Sequence, residues 1–67
     1  MLNIEECTHI WSLIPEASME KFEGEYMVVN YSTLISRKEI ESDMLTLEKA
    51  GYIAKPHGSG LKIRKAA

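Results

Sequence analysis

The architecture turns on Tyr26-Met27-Val28-Val29-Asn30-Tyr31-Ser32-Thr33-Leu34. Its β-branched and aromatic residues favour a strand by propensity. Periodicity alone does not separate a short buried strand from a buried helix of the same length, so both readings stay open over 26–34. A strand here means a sheet that begins before the central helix of the chain, whereas a helix means an all-helical middle.

Downstream, Ser36-Arg37-Lys38-Glu39 has the form of a capping box. Ile40, Met44 and Leu47 then fall on one helical face with Leu45 beside them, and Gly51 is placed to end the helix in the left-handed conformation. This predicts a helix over 37–50. Leu45 is expected to extend the core or to meet a protein partner. Beyond it, Tyr52-Ile53-Ala54-Lys55 and Leu61-Lys62-Ile63-Arg64-Lys65 flank Pro56-His57-Gly58-Ser59-Gly60, which predicts a β-hairpin over 52–65.

Upstream, Asn3 and Glu6 pair as N-cap and N3 carboxylate. Ile4, Cys7, Ile10, Trp11 and Ile14 recur at helical spacing, so a helix is expected over 4–14 and ends before Pro15. Ser18 is positioned to cap a short second helical segment that buries Met19 and Phe22 before Gly24. The expected fold class is therefore α+β, with N-terminal helices, the 37–50 helix and a C-terminal hairpin in one domain over 1–67. A chain of 67 residues leaves room for no more than one.

The formal charge of −2 hides a division along the chain. Residues 1–26 carry six glutamates against Lys21 alone, while residues 27–67 carry seven Lys and Arg against four acids. An acidic front and a basic back suit different partners.

The run from Ile35-Ser36-Arg37 through Leu47-Glu48-Lys49-Ala50-Gly51-Tyr52-Ile53 resembles the V-S-R-x-x-V-x-x-x-L-x-x-L-E-x-x-G-x-I pattern of bacterial winged helix-turn-helix regulators. The resemblance covers about 35–65. It implies a small DNA-binding transcription regulator of the phage or mobile-element kind, with 37–50 as recognition helix and 52–65 as wing. By that resemblance Ser36, Arg37, Lys38 and Ser42 read or position double-stranded DNA, and Lys55, Lys62, Arg64 and Lys65 clamp its phosphates. The residues themselves fit this: a helix N-terminus with two cations suits a phosphate or base edge, and no acid follows Lys55. Two departures stand beside it. Glu39, Glu41 and Asp43 share the helix with Arg37 and Lys38, and 26–34 replaces the family's second helix.

The acidic front half supports an alternative partner, a protein docked by a winged-helix-like adaptor or phage-encoded inhibitor. A homodimer through the N-terminal helix, using Ile10, Trp11 and Ile14, is expected if the chain occupies an operator. No nucleophile, base or phosphate loop comes together in the sequence, so an enzyme is not expected and no cofactor is implied. Cys7, His9 and a distant His57 lack the ligand count of a zinc site. Glu39 and Asp43, one turn apart, read as a solvated face. A single cysteine and the lack of a long apolar run or signal-like leader point to a cytoplasmic protein away from the membrane.

Overall fold

The computed structural model describes residues 2–66. The elements run α1 (Ile4–Leu13), β1 (Ala17–Glu23), β2 (Tyr26–Tyr31), α2 (Arg37–Lys49), β3 (Tyr52–His57) and β4 (Gly60–Lys65). The four strands form one antiparallel sheet in the order β1-β2-β4-β3. This is a small α+β fold of two helices and one sheet.

Local chemistry explains the helix ends. Asn3 Oδ1 accepts the Glu6 N–H at 2.8 Å and Glu6 Oε1 accepts the Asn3 N–H at 2.9 Å, closing the expected capping box on α1. Ser36 Oγ accepts the Glu39 N–H at 3.2 Å at the start of α2. Gly51, at φ 97°, lies just past its end.

Successive strand residues alternate faces, so the register assigns each side chain. Met27, Val29 and Tyr31 of β2, Leu61 and Ile63 of β4, and Tyr52 and Ala54 of β3 share one face. They form the core with Leu2, Ile10, Ile14, Ala17 and Leu47. Both helices therefore cover that face. The other face carries no helix. Tyr31 Oη donates to Asp43 Oδ2 at 2.8 Å and ties β2 to α2, while His9 Nδ1 and Tyr52 Oη lie 2.8 Å apart between α1 and β3.

Gly60 of β4 lies opposite Asn30 of β2. A Cβ there would run into the Val29 carbonyl oxygen and lie 2.7 Å from Asn30 Cα, so only glycine admits this approach.

Residues 26–31 form the strand that propensity favours. The short helical segment expected after Ser18 does not form, and residues 17–23 are strand β1. A bulge explains the misleading pattern. Met19 pairs with Val29 and Lys21 with Val28, leaving Glu20 as the extra residue. The bulge returns Met19 and Phe22 to one face at a spacing of three, which imitates a helix. Neither is buried as that segment required. No helix lies between α1 and α2 among the described residues.

Smaller corrections follow from packing. The hairpin turn is Gly58-Ser59 alone, because Pro56, His57 and Gly60 are taken into the strands. Leu45 is 59% exposed on the outer side of α2 and does not extend the core. Asp43 is not on a solvated face but turned toward Tyr31. Ile10 and Ile14 are fully buried within the chain, which leaves Trp11 as the partly accessible member of the expected α1 dimer face.

Candidate nucleic-acid interface

The uncovered face of the sheet gathers cations from three strands. Lys21, Val28, Lys62 and Lys55 form one row across β1, β2, β4 and β3, each opposed to the next. With strands about 4.8 Å apart, the row spans about 14 Å. Lys55 and Lys62 face one another directly, a pairing of like charges that costs stability in an empty sheet. Arg64 lies on the same face, opposite Ile53.

Tyr26 anchors this surface. Lys62 Nζ stands 4.7 Å from the centre of its ring and the Arg64 guanidinium carbon 6.0 Å, a geometry in which the ring's negative face attracts both cations. Val28, although on the uncovered face, is fully buried. Its cross-strand neighbours are Lys21 and Lys62. Arg64 Nε is 3.5 Å from Glu25 Oε1. That nitrogen is shut off from solvent and makes no hydrogen bond among the described residues.

The face is not uniformly basic. Lys21 pairs with Glu23 at 3.4 Å, and Glu20 accepts a hydrogen bond from Asn30 Nδ2. Positive charge is thus concentrated on the β3–β4 side, where Lys55 and Lys62 have no carboxylate within ion-pair distance among the described residues.

The eight residues singled out from the sequence are not brought together. Lys55, Lys62 and Arg64 share the uncovered face. Lys65 points to the helix side and pairs with Glu6 Oε2 at 3.1 Å. The Asn3 backbone N–H, followed by Lys65, holds the Glu6 carboxyl below the usual carboxylate range. Arg37, Lys38 and Ser42 are exposed on α2, in the helix layer, and the Ser36 hydroxyl is occupied as a cap. Arg37 and Glu41 border a cleft of about 490 Å³ between α2 and the Gly58-Ser59 turn. Tyr26 and Val28 were not legible as parts of a site, because their face depends on a register that composition does not carry.

A second surface lies between α1 and β1. Leu2, Ile4, Cys7, Trp11, Met19 and Phe22 line a groove of about 410 Å³. Ile4 is 85% exposed, Met19 43% and Phe22 42%.

On the helix side, Asp43 is raised to about 6 by burial first, then by the neighbouring Glu16 and Glu39 carboxylates, with Tyr31 acting in the opposite sense. Burial, followed by the bond to Asp43, pushes the Tyr31 phenol up. Tyr52 is also raised, chiefly by burial. Among the described residues, no three His, Cys, Asp or Glu side chains converge as a metal site, and no helix is long and apolar enough to cross a membrane. No family model, curated protein or solved structure matches the chain.

Proposed function

We propose that the chain binds nucleic acid, with duplex DNA as the first candidate and the β3–β4 hairpin as the leading contact. The observation that carries this reading is the Lys55–Lys62 pair. Two like charges are opposed across a ladder with Arg64 beside them, and an anion laid across the strands along this row would relieve their repulsion. The length of the row suits a polymer of phosphates better than a single small anion. Ser36, Arg37, Lys38 and Ser42 on α2 belong to the winged-helix part of the proposal, in which a regulator reads its operator. They lie in the other layer of the fold, so backbone binding by the hairpin is the better supported half.

Fluorescence anisotropy against random-sequence duplex at about 50 and then about 200 mM salt tests it. Three phosphate contacts predict micromolar binding at the lower salt and a slope of log K on log salt of about −3. Lys62→Ala with Arg64→Ala should flatten that slope to about −1. An unchanged slope removes the hairpin from the proposal.

A second reading, docking of a protein on the acidic half, is favoured by the exposed apolar groove between α1 and β1 and, separately, by the excess of six glutamates over one lysine in residues 1–26. Reversing Glu20, Glu23 and Glu25 to lysine should then weaken a partner without loss of DNA binding.

A further inference from the structure

The register sorts the uncovered face of the sheet into rows of different chemistry. Beside the Lys21-Val28-Lys62-Lys55 row, two residues along each strand, stand Glu23, Tyr26, Arg64 and Ile53. Tyr26 is partly exposed and is the one Phe, Tyr or Trp on this face among the described residues.

Charge differs between the two rows. Glu23 is opposed to Tyr26 across β1 and β2, and Glu25 Oε1 lies 3.5 Å from Arg64 Nε. Two carboxylates at the ring's end of the face oppose a phosphate there, while Lys55 and Lys62 attract one in the neighbouring row. What lies over Tyr26 is then an uncharged part of a polyanion whose charges rest one row away. In a nucleic acid that part is a base, and every base has a face that stacks on an aromatic ring.

Topology selects the form of the nucleic acid. A free two-stranded ribbon enters a major groove about 12 Å wide. β4 is not free, because it pairs with β2 as well as with β3, and the four-stranded face spans about 14 Å between the axes of its outer strands. A duplex therefore meets this face through its phosphates, with its bases paired inside. A single strand brings phosphates and open bases to it together.

We propose that the uncovered face binds single-stranded nucleic acid in preference to duplex, with phosphates on Lys55 and Lys62 and one base stacked on Tyr26. This rests on the nucleic-acid reading above and names the form of its ligand. Lys62 joins the two contacts. Its ammonium lies 4.7 Å from the ring centre, and its flexible stem carries it to a phosphate as the base takes its place over the ring. Arg64, whose Nη1 donates to the Lys65 carbonyl at 3.3 Å, keeps a cation beside the ring while Lys62 moves.

The full chain is titrated by fluorescence anisotropy at about 50 mM salt with three labelled probes of about 16 nucleotides. They are a single strand of mixed sequence, its duplex with the complementary strand, and a strand of the same length that has no bases. The last carries the same phosphates, so it isolates the contribution of the bases. The single strand is expected to bind at least fivefold more tightly than either of the others, as stacking of one base provides. Tyr26→Leu should remove that gain and leave duplex affinity and the salt slope unchanged, while Tyr26→Phe should retain it. Deoxy and ribo forms of the strand, run side by side, tell which polymer is the source, and the loss with Tyr26→Leu is expected in whichever binds more tightly.

Duplex affinity equal to or above that of the single strand, equal binding of the strand without bases, or indifference to Tyr26→Leu would overturn the proposal and leave the nucleic-acid reading standing. No binding of any probe would overturn both. Should circular dichroism show Tyr26→Leu unfolded, the strands with and without bases still decide, because that comparison uses the unaltered chain.

Discussion

Both hairpins turn over two residues, Gly24-Glu25 in one and Gly58-Ser59 in the other, and both lay antiparallel strands on the same core. Their uses differ. The β3–β4 hairpin keeps a regular register, buries Leu61 and Ile63 fully, and carries cations with no acid after Lys55. In the β1–β2 hairpin β1 is bulged and acidic, it leaves Met19 and Phe22 partly exposed, and only β2 is deeply buried. The difference shows how a domain this small separates two surfaces. Its strands are shared between a structural centre, β2 and β4, and two outer strands that carry opposite charge.

The seam between the hairpins is the most vulnerable point. Gly60→Val should abolish cooperative unfolding in urea, because the new side chain collides with β2 backbone, which has no rotamer by which to yield. A cooperative transition near the wild-type midpoint would mean that the seam tolerates more separation than the packing implies. Next in size, Leu61→Ala should cost about 3 kcal/mol as a fully buried truncation, and Phe22→Ala less than about 1 kcal/mol, since Phe22 is already part exposed. Equal losses would erase the distinction between a structural and a surface-forming hairpin.

A smaller effect separates function from stability within the basic hairpin. Lys55→Glu replaces a repulsive cross-strand pair with an attractive one and should stabilise the fold by about 0.2–1 kcal/mol, while duplex DNA binding falls at least tenfold. A variant that is stabilised and still binds would show that Lys55 does not touch the ligand.

A change that depends on pH concerns the exit of the first hairpin, where Tyr31 meets Asp43. The folded-state pKa of Asp43 is raised to about 6 from an ordinary 3.8, so the folded chain holds that proton more tightly than the unfolded one. The stability this provides is complete below about pH 3.8 and is lost as pH rises through about 6. Asp43→Asn keeps an acceptor for the Tyr31 hydroxyl without the charge. It should remove this slope between pH 4 and 6 and leave the variant the more stable above pH 6, as read from thermal midpoints across that range. A slope identical to wild type would move the titration to another group.

Much of this was legible before the structure. The side chains of Asn3, Glu6 and Ser36 announce both helix starts, since capping is a local interaction between residues three apart. The second hairpin was legible because its two runs flank a glycine-rich turn. β1 was hidden because Glu20 adds one residue, and a strand with an added residue has the spacing of a helix. The candidate site was half visible for a related reason. Charge can be counted along a chain, but whether Lys62 and Lys65 share a face depends on odd and even positions in a ladder whose register is set by long-range pairing.

The bulge at Glu20 also bears on how the protein behaves in a crowd. β1 and β3 are the outermost strands, and each has a device that spoils it as a template: the extra residue with Glu20, Lys21 and Glu23 on one side, and Lys55 with Pro56 on the other. Neither rim offers the flat, uncharged row of amides onto which a neighbouring chain can add itself. The sheet is therefore closed to growth without being closed into a barrel, and one of its two guarded rims is guarded by the residue that made the strand hardest to read.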